Sequence, residues 1–92
     1  RNTLDVSAVA VVKERSSLPI IIDPSHAAGK SRYIESLSLA GIAAGADGLI
    51  IEVHPNPKVA MSDAAQQLTI PEYQALVKKV RAVAGAVGRS LT

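Results

Sequence analysis

Two apolar runs, the second interrupted only by Glu52, constrain the fold of this 92-residue chain more than any other feature. They cover residues 18–22 (LPIII) and 48–53 (GLIIEV), and neither alternates between apolar and polar positions. A strand without alternation is typical of a parallel sheet that is covered on both faces. The residues between the runs, 31–44, carry an apolar stripe at helical spacing, and Gly45 is suited to end that helix. The order predicts a βαβ unit with a right-handed crossover.

Two further helices are predicted on either side of this unit. Residues 6–15 can form a helix capped by Asp5 or Ser7, although their β-branched residues make a strand the competing interpretation. Thr69 and Glu72 have the spacing of a capping box, which predicts a helix from there to about residue 86. Its predicted buried stripe consists of Leu76, Val77, Val80, Val83, Ala84 and Val87.

The composition excludes several classes of function. The chain has no cysteine, so it can form neither a disulfide nor a thiolate metal site. A net charge of only +2, with no Phe and no Trp, argues against a nucleic-acid partner. No apolar run reaches membrane-spanning length and no secretory signal is visible, so we expect no membrane partner and a cytoplasmic protein. Because the chain enters a structural pattern at once without an initiator Met, we expect it to be a piece of a longer protein.

Both apolar runs lead into side chains that can bind a metal ion. His26 follows the first run, Glu52 lies near the end of the second, and Asp63 lies on the loop after it. The carboxyl ends of parallel strands meet at one edge of a sheet. An imidazole and two carboxylates are a plausible ligand set for a divalent metal. For Glu52, the alternative is an ion pair with a Lys or Arg of an adjacent strand, because a lone carboxylate is costly to bury.

Two neighbours of these residues are candidates for supporting roles. Asp23 ends the first apolar run and can orient a ligand from a second layer. His54 lies on the same face as Glu52 if the strand persists, where it can either make a structural hydrogen bond or contact the site.

The segment Gly29-Lys30-Ser31 looks like the end of a phosphate-binding P-loop. That motif also needs a glycine at position 24, which is Pro here. Lys30 and Arg32, at the start of a helix, remain candidates for holding a substrate phosphate. The alternative is a solvated loop that happens to carry basic residues.

Four motifs in order resemble 3-deoxy-D-arabino-heptulosonate 7-phosphate (DAHP) synthase, most closely its compact microbial type I-beta branch. The motifs are residues 1–9 (RNTLDVSAV), 23–26 (DPSH), 52–57 (EVHPNP) and 62–68 (SDAAQQL). The resemblance implies an α/β fold, with residues 1–92 as the C-terminal portion of a (β/α)8 TIM barrel comprising its last two to three βα units. It implies a transferase that condenses phosphoenolpyruvate with erythrose 4-phosphate, the first step of the shikimate pathway to aromatic amino acids.

The same resemblance implies a divalent metal (Mn, Fe, Co or Zn) held by a Cys, a His, a Glu and an Asp. By position the last three are His26, Glu52 and Asp63. The Cys and most basic substrate ligands of the family belong to earlier strands that this chain lacks. Because two or three βα units cannot close a barrel, we expect the chain alone to be inactive, with exposed strand edges covered in a homo-oligomer.

Three alternatives remain open. The related 3-deoxy-manno-octulosonate 8-phosphate synthase resembles the chain around residues 52–57. The chain can also be a truncated module with only a structural role. A phosphate-binding α/β domain that uses Lys30 is the third.

Overall fold

The computed structural model describes residues 5–24, 31–56 and 67–91, which form an α/β unit with a two-stranded parallel sheet. This confirms the predicted α/β class and its parallel strands. Within the described residues, no helix has the length and apolar character needed to cross a membrane. The elements are α1 (Val6–Arg15), β1 (Ile21–Ile22), a 3-10 turn (Ser31–Tyr33), α2 (Ile34–Ala44), β2 (Gly48–Leu49) and α3 (Ile70–Ala86).

The two strands pair in parallel, with Ile21 opposite Gly48 and Ile22 opposite Leu49. The Ile50 N–H donates to the Ile22 carbonyl at 2.9 Å and extends this pairing by one bond. Both strands are shorter than their apolar runs. A strand is defined by its neighbour, and β1 pairs with β2 only over these few residues.

The core lies on one face of the sheet, where all three helices pack. One cluster joins α2, α3 and the segment before α3, and a second joins α1 to β1 through Val9, Ile22 and Ala46. The opposite face is open, with Ile21 55% and Ile50 52% exposed. Within the described residues only one of the two faces expected to be buried is covered, because the three helices all lie on the same side. The buried members of the first cluster are Ile34, Ile42, Leu68, Leu76, Val80 and Ala84.

Side-chain caps begin two of the helices as the sequence predicts. The Asp5 carboxylate accepts a hydrogen bond from the Ala8 N–H at 3.1 Å, and the segment after it is a helix and not the competing strand. Thr69 and Glu72 form the full capping box, with the Thr69 N–H donating to the Glu72 carboxylate at 2.7 Å.

Glycines in the left-handed conformation follow the ends of α2 and α3. Gly45 has φ 114° directly after α2, and Gly88 has φ 80° two residues after α3 ends. Val87, predicted in the buried stripe of α3, is 46% exposed because the helix has already ended at Ala86. The rest of that stripe is buried or half-buried.

Gly41 allows α2 to approach β1 closely. A Cβ atom at this position would overlap the Cδ1 atom of Ile22, which is itself buried in the second cluster. Gly85, on α3, has nothing within 4 Å of the same position. Only the first glycine is therefore required by packing.

We expect Gly41→Ala to lower the free energy of unfolding by about 1–3 kcal/mol, because the new methyl group overpacks the contact with Ile22. Gly85→Ala is the matched control and should stabilise the chain by no more than about 1 kcal/mol. Denaturant unfolding measures both. Ile22→Val removes the clashing atom, so the double variant should lose less than the sum of the two single losses. If the two single losses of unfolding free energy simply add in the double variant, the proposed close contact between position 41 and Ile22 is wrong.

Asp47 joins three parts of the chain at the amino end of the sheet. Its carboxylate accepts hydrogen bonds from Lys13 Nζ at 2.9 Å, from the Ile20 N–H at 2.8 Å and from Arg89 Nη2 at 2.7 Å. The Lys13 bond, followed by the Ile20 bond and that of Arg89, lowers the pKa of Asp47 from 3.8 to about 2. This carboxylate therefore links α1, the start of β1 and the segment after α3.

Because the pKa of Asp47 is lower in the folded state, its carboxylate stabilises the fold above about pH 4 and loses this effect as the pH falls toward about 2. Asp47→Asn should lower stability at neutral pH and flatten the pH dependence of unfolding within that window. Glu14→Gln, which changes an exposed carboxylate on α1, is the control and should leave the profile unchanged. If Asp47→Asn loses stability with falling pH as steeply as the wild type does within that window, the stabilising role of the Asp47 carboxylate is wrong.

Candidate active site

Asp23 and Glu52 occupy the carboxyl ends of neighbouring parallel strands. Ile22 and Leu49 pack on the helix side of the sheet. Alternation along a strand therefore places Asp23 with the exposed Ile21, and Glu52 with the exposed Ile50. Both carboxylates are half-buried and each has an interaction partner. The structure thus brings these two predicted site residues to one edge and one face.

Leu68 fixes the backbone around Glu52. Its N–H donates to the Glu52 carbonyl at 3.0 Å, and its carbonyl accepts from the His54 N–H at 2.9 Å. These two bonds form a parallel bridge between Val53 and Leu68. The chain therefore stays extended from residue 52 to 54, beyond β2 itself, which satisfies the condition for His54 to lie on the same face as Glu52.

The ring of His54 is held by the turn that follows it. Its Nδ1 atom accepts a hydrogen bond from the Asn56 N–H at 2.9 Å, and its side chain is half-buried. Pro55 has no N–H group, so Asn56 supplies the first backbone donor after the strand.

Arg32 lies on the exposed surface at the start of α2. Its guanidinium donates to Tyr33 Oη at 2.9 Å and stacks 4.9 Å from the centre of that ring. It also lines a groove of about 260 Å³ between the starts of α2 and α3, together with Glu35 and Glu72. Its role in holding a substrate phosphate stays a prediction.

His26, Lys30 and Asp63 lie outside the described residues. Within residues 5–24, 31–56 and 67–91, no three His, Cys, Asp or Glu side chains are grouped so that they could hold a metal ion. Asp23 and Leu68, which are described, lie at the edge where Glu52 is found. The three-ligand metal set therefore stays a prediction.

Sequence reasoning did not identify the roles of Leu68 and Asn56. A single bridging residue leaves no strand pattern in the sequence, and a backbone N–H donor carries no residue signature. The nearest available signal was the dipeptide His54-Pro55, since a residue before proline favours an extended conformation.

A larger cavity of about 420 Å³ lies elsewhere, between β2, α3 and the segment after α3. Leu49, Ile51, Val80 and Arg89 are among its lining residues, whereas Asp23, Glu52 and His54 are not. It belongs to the packing of helices on the sheet and is separate from the candidate site.

Comparison with known proteins decides the family. Residues 1–87 match the sequence model of the DAHP synthetase I family. The chain belongs to this family. A curated relative, the phospho-2-dehydro-3-deoxyheptonate aldolase of Thermotoga maritima, is 47% identical over 88 residues, which cover 96% of this chain.

Solved structures agree with this membership of the DAHP synthetase I family. The crystal structure of the Thermotoga maritima DAHP synthase superimposes with a TM-score of 0.96 at 44% identity, over all of this chain and 27% of that one. A truncated form of the same enzyme has the same TM-score and identity and is covered over 35% of its length.

A more distant relative is the 2-dehydro-3-deoxyphosphooctonate aldolase of Citrifermentans bemidjiense, 30% identical over 85% of this chain. The chain spans only 26% of the Thermotoga maritima relative and 33% of this one.

The two backbone hydrogen bonds that join Leu68 to Glu52 and His54 are called the Leu68 clamp. We expect Leu68→Ala to weaken both the core and this clamp. Leu68 is only 5% exposed, so truncation should lower the free energy of unfolding by about 2–5 kcal/mol. Amide hydrogen exchange should show faster exchange at His54, whose N–H donates to Leu68. Leu18→Ala, at a leucine that is 69% exposed, is the control and should leave both measurements almost unchanged. Retained protection at His54 in Leu68→Ala would contradict the expectation that the buried Leu68 side chain anchors these backbone hydrogen bonds.

Proposed function

We propose that this chain is the C-terminal portion of a (β/α)8 barrel enzyme that condenses phosphoenolpyruvate with erythrose 4-phosphate to form DAHP. The observation that carries the proposal is the meeting of Asp23 and Glu52 at the carboxyl edge of parallel strands, in a chain 47% identical to a DAHP-forming enzyme. Barrel enzymes place their chemistry at this edge. Residues 1–92 would supply the last two to three βα units, and the cytoplasm is the proposed location.

The open face of the sheet supports a barrel. In a barrel the inward face is covered by the remaining strands, and the outward face is covered by helices. Here the helices cover one face, while Ile21 and Ile50 are left more than half exposed on the other. Asp23 and Glu52 share that open face, so they would project toward the barrel interior.

The donor chemistry of the candidate site fits a divalent metal ion. Glu52 ends an apolar strand and is half-buried, and a second carboxylate, that of Asp23, lies at the same edge and on the same face. We assign His26, Glu52 and Asp63 as ligands, with a cysteine from another segment because this chain has none. A bound Mn, Fe, Co or Zn ion would supply Lewis-acid polarisation of the aldehyde oxygen.

The chain's own residues would orient and hold the reactants. Asp23 would orient a metal ligand by hydrogen bonding to it without contacting the metal itself. The Leu68 clamp would keep the Glu52 backbone in place. Lys30 and Arg32 would bind substrate phosphate by charge-assisted hydrogen bonds. C3 of phosphoenolpyruvate would then form a bond to the aldehyde carbon, and the aldehyde oxygen would take up a proton to become a hydroxyl. Water would add at C2, and the phosphate of phosphoenolpyruvate would leave.

We propose that the chain in isolation is inactive and self-associates. It would lack the fourth ligand and most of the substrate pocket, and its open sheet face presents exposed apolar residues to solvent. Size-exclusion chromatography tests this part, and a stable monomer would contradict it.

Octulosonate synthesis is the second candidate, favoured by the 30% identity to an aldolase of that name. Carbon counting separates the two reactions. Phosphoenolpyruvate supplies three carbons, so a heptulosonate needs a four-carbon aldehyde phosphate and an octulosonate needs a five-carbon one. An assay of the natural full-length polypeptide with both aldehydes decides between them.

We expect Glu52→Gln in the full-length polypeptide to lower kcat by at least about 100-fold and to reduce bound metal. Mutation of a residue that only hydrogen-bonds to a metal ligand lowers metal affinity or activity about 10- to 100-fold, and loss of a ligand itself should lower them more. Steady-state kinetics and elemental analysis measure the two effects, and circular dichroism should show an unchanged fold. Glu14→Gln is the control and should match the wild type.

Wild-type metal content and activity in Glu52→Gln would remove Glu52 from the ligand set. If the wild-type polypeptide itself forms product with neither aldehyde, the proposed synthase activity is wrong.

A further inference from the structure

We propose that His54 is a substrate-binding residue that donates its Nε2–H to an anionic oxygen of a phosphorylated substrate, and that it is not a metal ligand. This inference rests on the proposed function. It deepens that function by assigning a task to a histidine whose role the sequence left open.

The Asn56 N–H determines which ring nitrogen of His54 carries the proton. Nδ1 accepts the hydrogen bond from this amide at 2.9 Å. A neutral imidazole has one acceptor nitrogen and one donor nitrogen. Because Nδ1 is the acceptor, the proton lies on Nε2, and this nitrogen is a donor.

The backbone of His54 is fixed independently of its ring. The His54 N–H donates to the Leu68 carbonyl at 2.9 Å, and Pro55 restricts the residue before it to an extended conformation. A residue held at both backbone and ring loses little further freedom when it binds a ligand. Such preorganisation is typical of groups that contact substrates.

The Nε2–H of His54 has no acceptor among the described residues. The side chain is half-buried and lies on the face of the sheet that also carries Glu52. The described residues therefore leave this donor, held in a fixed direction beside the proposed reaction centre, for a ligand.

The same geometry argues against metal binding by His54. A metal-bound histidine uses the lone pair of one nitrogen and donates the N–H of the other to a protein acceptor. His54 has the reverse arrangement, since its only lone pair already accepts from Asn56. Metal binding would require this hydrogen bond to break or the Nε2 proton to be lost.

The chemistry that suits a fixed N–H donor is a carboxylate or phosphate oxygen. Phosphoenolpyruvate offers both, and erythrose 4-phosphate offers a phosphate. Hydrogen bonds in which the acceptor is charged are stronger than neutral ones. Separate titrations with each substrate identify which of them His54 contacts.

Two substitutions test the roles of the two ring nitrogens of His54 separately. His54→Asn retains an acceptor near the Nδ1 position, so it can preserve the turn with Asn56, but it loses the Nε2 donor. His54→Gln places an amide N–H near the Nε2 position and gives up the turn contact.

Both variants are made in the natural full-length polypeptide. Calorimetry measures binding of phosphoenolpyruvate and of erythrose 4-phosphate to the metal-free protein, and elemental analysis measures metal content after loading.

We expect His54→Asn to keep the wild-type unfolding midpoint and metal content while binding one of the two substrates about 10- to 100-fold more weakly. His54→Gln should bind that substrate more tightly than His54→Asn does. In the wild type, 15N NMR of the imidazole should show Nδ1 as the acceptor nitrogen and Nε2 as the donor.

Three results would overturn the inference: unchanged binding of both substrates by His54→Asn, loss of metal in that variant, or a wild-type ring protonated on Nδ1. Wild-type protein that binds neither substrate would instead refute the proposed function, so the two failures are distinguishable.

Discussion

The parallel pairing of β1 with β2 determines where the helices and the candidate site residues lie. Two strands that run in the same direction must be joined by a crossover, and α2 provides it. The helix can lie against the sheet only because Gly41 leaves space for Ile22. Once this unit has formed, the carboxyl ends of both strands meet, and Asp23 and Glu52 are carried to a common edge.

The two ends of the sheet have different tasks. At the amino end, the Asp47 carboxylate joins α1, β1 and the segment after α3 through three hydrogen bonds, and its low pKa reflects these contacts. At the carboxyl end, Leu68 holds the backbone of residues 52–54, and the carboxylates remain only half-buried. The contacts that join helices to strands at the amino end thus involve residues other than the groups proposed for chemistry at the carboxyl end.

Much of the fold could be predicted from the sequence because its signals are local. The capping box of Thr69 and Glu72 and the left-handed Gly45 involve residues within one helical turn. Burial could not be predicted in the same way. The apolar runs indicated a sheet covered on both faces, whereas the described residues cover only the face that holds the helices, because burial depends on which other elements pack there. For the same reason the lengths of the strands followed from pairing and not from hydrophobicity.

For the candidate site, the residues alone show which chemical groups are present and that Glu52 lies at the end of an apolar strand. They also carry the motifs of the DAHP synthetase I family. The folded chain was needed to show that Leu68 holds the strand beyond Glu52 and that Asn56 sets the donor nitrogen of His54. These contacts use backbone N–H and carbonyl groups, which every residue type except proline can provide. Their partners are therefore chosen by the path of the chain in space.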